Sequence, residues 1–264
     1  MAVSSLIVSV PAASAGVPSG AGTPGNRGGS CPATVIVAAR GSEETSTTPA
    51  RYEGTDLPSD GWEGDTIRRF ISYLATAHPE VVSGGRVAAA GVDADHYPAR
   101  LPVPRELAEF NAVTIAQDVA LFVDSVVKGV PGGLEQVKSW EEESGCRPDY
   151  VTVGYSQGVL PVMAVQQWAS DRGRLRGVIS VGSPFGGEPG TVGTVAEAPD
   201  GVPSMNICAT YDVICAHDME SLGEALEAPY ELGAHTEYFR QALAGRPTAL
   251  EKKSVDTLAE WLSD

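Results

Sequence analysis

The run Val151-Thr152-Val153-Gly154-Tyr155-Ser156-Gln157-Gly158 sets a serine between two glycines, directly after an apolar, β-rich stretch. Residues 157–170 follow with helical spacing, and Pro161 falls near the start, where a helix tolerates proline. Strand, G-x-S-x-G, helix is the pattern of a sharp turn that lifts a hydroxyl above a sheet edge and aims the next backbone N–H at a developing oxyanion. Glycines flank the serine because strand and helix approach closely there. The chemistry such a serine could do is acyl transfer, provided a base takes its proton. Its partners should follow in the order Ser, Asp or Glu, His. Two histidines lie beyond Ser156, His217 and His235; His78 and His96 precede it, and His96 in Asp95-His96-Tyr97-Pro98 reads as a structural or surface residue. Asp212 lies between Cys208 and Cys215, whereas Asp218 lies outside that pair. A short disulfide loop would fix a carboxylate that must hold an imidazole in one tautomer, which favours Asp212. His217, five residues past Asp212, is tethered to the same loop and would reach Ser156 with difficulty, so His235 is the favoured base.

These residues need a scaffold, and the rest of the chain supplies its pattern. Strand-like apolar runs are expected at 34–39, 87–92, 150–154, 177–182 and 204–208. Several are continuously apolar, as for strands covered on both faces. Helices are expected at 61–77, 106–127, 134–143 and 157–170, with two more near 234–243 and 254–262. This alternation predicts an α/β fold of one domain: an about five-stranded, mainly parallel sheet with helices on both faces. Segments 43–59 and 186–203, rich in Gly, Pro and polar residues, read as long loops at a sheet edge, where function tends to sit.

Composition narrows the function. The chain has 264 residues, 42% of them hydrophobic, and a formal net charge of −16. So acidic a chain is unsuited to nucleic acid, whose phosphates require a basic face. No apolar run reaches the ~18 residues that span a bilayer. Residues 1–15 resemble a signal peptide, with an apolar Leu6–Val10 core and an Ala13-Ser14-Ala15 cleavage site, although no basic residue precedes Arg27. Residues 16–30 are a Gly/Pro/Ser-rich lead-in, expected to be disordered, and residues 31–264 form the domain. Four cysteines behind such a segment favour two disulfides and a secreted protein. They allow three pairings; the seven-residue spacing of Cys208 and Cys215 suits a local staple, which leaves Cys31 with Cys146.

Four blocks resemble the cutinase family of serine esterases: Cys31-Pro-Ala-Thr-Val-Ile-Val-Ala-Ala-Arg40-Gly41-Ser42-Glu43, Cys146 shortly before Gly-Tyr-Ser156-Gln-Gly, Cys208-Ala-Thr-Tyr-Asp212-Val-Ile-Cys215, and Ala234-His235-Thr-Glu-Tyr238. They run in the family's order from about residue 31 to 243. The resemblance implies an α/β-hydrolase-type domain with Ser156 as nucleophile, His235 as base and Asp212 as the orienting acid. It also implies an oxyanion hole from the backbone N–H groups of Ser42 and Gln157, with the Ser42 hydroxyl assisting, and disulfides Cys31–Cys146 and Cys208–Cys215. The chain is longer than compact fungal members between Glu43 and Cys146 and wider between Asp212 and His235, and looks closer to actinobacterial cutinase-like proteins.

The expectation is therefore a secreted, monomeric ester hydrolase acting on a lipid, a polyester or an acylated glycan. It needs no cofactor and no metal, since no Cys/His cluster has zinc spacing. A glycolipid esterase or acyltransferase, or an acetylxylan esterase, would use the same triad. A non-catalytic binding protein on this fold would not need the intact Ser, Asp and His.

Overall fold

The computed structural model describes residues 31–44, 50–52, 55, 57–101, 112–218 and 234–263; the signal-like segment and the lead-in expected at 1–30 lie outside the described residues. The apolar runs form strands because each is covered on both faces. β1 (Thr34–Ala39), β4 (Val87–Gly91), β5 (Asp149–Tyr155), β6 (Leu175–Val181) and β8 (Ser204–Cys208) lie in one sheet, in the order β4-β1-β5-β6-β8. All four pairings among them are parallel, so their carboxyl ends share one edge. A sixth strand, β7 (Thr191–Gly193), joins β8 antiparallel at the edge, within the stretch expected to be loop. Two residues each of β2 (Ala50–Arg51) and β3 (Pro58–Ser59) form a separate small ladder.

Helices cover both faces, as the alternating pattern requires. α1 (Gly64–Ala77) buries Ile67, Phe70, Ile71 and Leu74, the i, i+3, i+4, i+7 stripe of a helix with one apolar face. Each such side chain contributes about 1.5–3 kcal/mol by leaving water. The short α2 (Pro79–Val82) follows α1. On the same side as α1, the C-terminal helix packs against α1 and β7, and Phe70 stacks on Phe239 at 4.7 Å between centroids. The other face is closed by α3 (Ala112–Ser144) and α4 (Val159–Ser170), over Val35, Val37, Tyr150, Val162 and Val165.

α3 departs from expectation. Two helices separated at Gly129-Val-Pro131-Gly-Gly133 are instead one helix of 33 residues. The glycines there do not end the helix; they let its backbone approach other backbone. A Cβ at Gly132 would lie 2.2 Å from the His96 carbonyl oxygen, and one at Gly133 would lie 2.7 Å from that of Pro161. The helix expected at 234–243 is likewise split. A 3₁₀ turn at Ala234–Thr236 and a short helix, α6 (Arg240–Leu243), are separated by Phe239, whose φ is 61°. On either side of them in sequence, α5 is the single turn Val213–Ala216 and α7 is the C-terminal Ala249–Ser263.

Both disulfides are present as paired above. Cys31–Cys146 ties the start of β1 to the start of β5, at the amino edge of the sheet, and Cys208–Cys215 ties β8 to α5 at the carboxyl edge.

Candidate active site

Ser156 stands where β5 ends and the 3₁₀ turn Ser156–Gly158 leads into α4. Its φ is 53°, a left-handed conformation that non-glycine residues adopt at a cost and that is often found at functional turns. The flanking glycines are required by contact. A Cβ on Gly154 would lie 2.5 Å from Val159 Cα, and one on Gly158 would lie 2.0 Å from the Ala39 carbonyl oxygen. The turn is thus wedged between α4 and the end of β1, and its serine is only partly exposed.

Asp212 follows β8 and caps α5. Its Oδ1 accepts the backbone N–H of Ile214 at 2.8 Å and of Cys215 at 3.4 Å. The carboxylate is completely buried, and among the described residues no lysine or arginine pairs with it. His235 Nδ1 lies 2.9 Å from each carboxylate oxygen, so the ring donates there and presents Nε2 as the acceptor. The dyad fits because Gly182 directly follows β6, where a Cβ would come within 2.8 Å of His235 Cε1 and 2.9 Å of Asp212 Oδ2. His217 does not join this cluster: it is an exposed left-handed cap of α5, beside Gly186.

Residues that sequence reasoning did not single out hold the histidine. Tyr155, next to the serine, stacks on the His235 ring at 5.0 Å and donates its hydroxyl to the His235 carbonyl at 2.8 Å. Burial, then the charges of Glu44 and Asp212, push that phenol's pKa far up, so it stays a donor. Arg69 of α1 donates to the carbonyls of Tyr238 at 3.0 Å and Thr236 at 3.1 Å. Three carbonyls of the His235 turn are therefore gripped from β5 and α1. Tyr155 and the serine are chain neighbours, which brings the dyad to the turn. Among the described residues Ser156 Oγ makes no hydrogen bond to His235; such links are commonly long until substrate binds.

The loop after β1 lies against the same turn. Gly41 N donates to Glu44 Oε2 at 3.0 Å and Thr66 N donates to Glu44 Oε1 at 2.9 Å, which joins the loop to the start of α1. Burial raises the Glu44 pKa against these two donors. Arg40 is buried, and its guanidinium donates to the carbonyls of Val92 and Tyr97, both at 2.7 Å. Ser42 N makes no hydrogen bond to the described residues. The Ser42 hydroxyl donates to Gln157 Oε1 at 3.3 Å, and Tyr97 Oη lies 3.0 Å from the same oxygen. Gln157 Nε2 is buried with no partner among the described residues. The proton of Ser42 is in this arrangement spent on Gln157 rather than aimed outward.

Just before α1, Asp60 accepts the N–H groups of Trp62 and Gly91, both at 2.9 Å, while Glu63 accepts Tyr52 Oη at 2.7 Å, Ser59 Oγ and Arg68 Nε at 3.2 Å. Burial, joined by the Glu63 charge, pushes Asp60 up to about 7. Among the described residues no group of three His, Cys, Asp or Glu could hold a metal ion, and no helix is long and apolar enough to cross a membrane.

No protein-family model matches the chain, and no curated protein does. Among solved structures, an acetylxylan esterase aligns at 19% identity over 86% of this chain and 100% of its own, with a TM-score of 0.45. A Trichoderma reesei cutinase in complex with a phosphonate inhibitor aligns at 20% identity, over 87% of this chain and 74% of its own, with a TM-score of 0.42. A cutinase-like protein from Cryptococcus sp. aligns at 18% identity, over 81% and 95%, with a TM-score of 0.44. What those proteins act on is a statement about them; the chemistry of this chain rests on its own residues.

Proposed function

We propose that the chain is a secreted serine esterase that hydrolyses carboxylic esters through Ser156, His235 and Asp212. One observation carries the reading. A serine in a left-handed turn at the carboxyl end of a central strand neighbours a buried His–Asp pair whose free imidazole nitrogen is an acceptor. In the first step His235 Nε2 takes the Ser156 proton as Oγ attacks the ester carbonyl. Asp212 holds the ring's tautomer and stabilises the imidazolium that forms. The oxyanion is met by the N–H groups of Ser42 and Gln157, each contributing about 3–4 kcal/mol. His235 then gives its proton to the departing alkoxide, which leaves an acyl-serine. Water, deprotonated by the same histidine, attacks the acyl carbon; the acid departs and Ser156 recovers its proton.

The four motif blocks support an acyl ester of a lipid, a polyester or a short-chain acid as substrate. Acetylated xylan and cell-wall glycolipids are the second class that the same triad would serve, by hydrolysis or by acyl transfer to a sugar. The two disulfides support an oxidising, extracellular setting. The test is labelling with a fluorophosphonate followed by peptide mapping, with an ester panel from acetyl to long acyl, acetylxylan and a trehalose glycolipid included. Modification of Ser156, lost in Ser156→Ala, is the expected result. Unlabelled protein with no turnover on the whole panel would leave a binding protein on an esterase-like fold.

A further inference from the structure

Asp212 is a buried anion balanced by donors rather than by a cation. Its Oδ1 has two backbone N–H groups; its Oδ2 has, besides His235, a single hydroxyl, that of Tyr238 at 2.6 Å. That distance belongs to a charge-assisted hydrogen bond. The hydroxyl is aimed from behind: Ala209 N donates to Tyr238 Oη at 2.9 Å, so the phenol's own proton is left for Oδ2, and the alternative acceptor, the Ile207 carbonyl, is 3.4 Å away. The ring is buried, and Cys215 Sγ lies 3.6 Å from Oη. Burial, and then the Asp212 charge, hold this phenol well above its ordinary pKa, so it remains a donor throughout the working range. Tyr238 also shares the turn that carries His235 and has its carbonyl gripped by Arg69.

We propose that Tyr238 is a positioning residue for the reaction: by donating its hydroxyl to Asp212 Oδ2 it sets how strongly the carboxylate supports positive charge on His235. The inference rests on the triad reading of the site. Physically, a carboxylate that shares its charge with a hydrogen-bond donor offers less of it to the imidazole. Take the hydroxyl away, and Oδ2 is left with the ring alone, so the imidazolium is favoured and the base is protonated at higher pH. Tyr155 from β5 stacks on the ring, Arg69 from α1 holds carbonyls of its turn, and Glu44 from the loop after β1 acts on Tyr155; none of these is touched by that change.

Tyr238→Phe removes the hydroxyl and keeps the buried ring. Two readouts are needed: the titration of His235 followed by NMR, and the pH profile of kcat/KM. Both the midpoint and the acid limb should move up by about 0.5–1 pH unit, with KM unchanged and plateau kcat lowered no more than about 10-fold. In an Asp212→Asn background, adding Tyr238→Phe should not move the midpoint further. A midpoint that stays put or falls, or one that moves equally in the Asn background, overturns the proposal; a lower melting temperature with an unmoved midpoint would mean that the residue only packs. Should the Phe variant fold poorly, fluorotyrosine incorporation perturbs the same bond in the opposite sense. The more acidic phenol donates more strongly, and the midpoint should fall; no change there also overturns it. The NMR titration requires no turnover. Absent esterase activity with a shifted midpoint would therefore count against the esterase reading and leave the Tyr238 coupling standing.

Discussion

Opening the two disulfides should have different consequences, and the structure says how large each is. Cys208–Cys215 spans seven residues and Cys31–Cys146 spans 115. Chain-entropy reasoning gives about 2.5 kcal/mol for the short loop and about 4.8 kcal/mol for the long one. For a chain of this size that corresponds to a fall in melting temperature of roughly 5–10 °C and 10–20 °C respectively. Turnover should rank the other way. The long bridge sits at the amino edge of the sheet, away from Ser156, and its loss should leave kcat within about twofold at temperatures where the variant is folded. The short bridge closes the loop that carries Asp212 and brings the Cys215 N–H onto its carboxylate. Freed, that loop must recover its native arrangement from a wider ensemble. The fraction correctly arranged, and with it kcat, can fall by at most about 70-fold if the whole 2.5 kcal/mol is charged to it. The loss should stop short of the ~10⁴ expected for a missing triad acid, since Tyr238 Oη, Ile214 N and His235 still hold the carboxylate. The assay pairs Cys208→Ser/Cys215→Ser with Cys31→Ser/Cys146→Ser and measures melting temperature and kcat on both, after mass spectrometry of the unreduced protein has counted its bridges. Full turnover in the first variant, with its loop shown to be open, would refute the claim that the staple positions Asp212.

Other outcomes follow from the geometry. Ser156→Ala should cut ester turnover by at least ~10³-fold with the melting temperature nearly unchanged, read by kcat and calorimetry. Gly158→Ala should prevent stable folding, since its Cβ would sit 2.0 Å from a backbone carbonyl that cannot yield; soluble, cooperatively melting protein would contradict this. Ser42→Ala keeps the backbone N–H and removes a hydroxyl already spent on Gln157 Oε1, so kcat should change by no more than about threefold; a loss of about 10-fold or more would contradict that arrangement. Asp60 gives stability its own pH dependence. Its carboxyl is held protonated in the fold up to about 7 but ionises near 3.8 when unfolded, so the folded state binds the extra proton between those values and stability falls as pH rises across that window. Melting temperature should decline from pH 4 to 7, and Asp60→Asn should flatten the decline.

The five parallel strands are legible in the sequence because each is a short apolar run bounded by turn residues, and Thr34–Ala39 and Ser204–Cys208 agree with it to the residue. β7 is not legible: three residues carry no periodicity, and their pairing is supplied by β8. Gly129 to Gly133 mislead for a different reason, since glycine both ends helices and admits close backbone contact, and the partners that decide, His96 and Pro161, are remote in sequence. At the site, Asp212 and His235 can be proposed from cysteine spacing and residue order. Arg69 cannot, because it acts on backbone carbonyls 167 and 169 residues away, which impose no recognisable residue type. Tyr155 and Tyr238 stand inside the quoted motifs, yet a tyrosine there looks like any core aromatic until its hydroxyl's acceptor is known.

Tyr155 has a consequence for anyone reshaping this cleft. Its ring meets the imidazole, and it also occupies the space a side chain on Gly41 would need, with Cδ1 and Cε1 2.6 Å from where that Cβ would be. One aromatic ring therefore works as a gauge block between the loop after β1 and the base. The spacing between that loop and the base is set in part by the size of that one side chain. Any side chain introduced at Gly41 would push on the same block, and its effect would be felt first at the histidine.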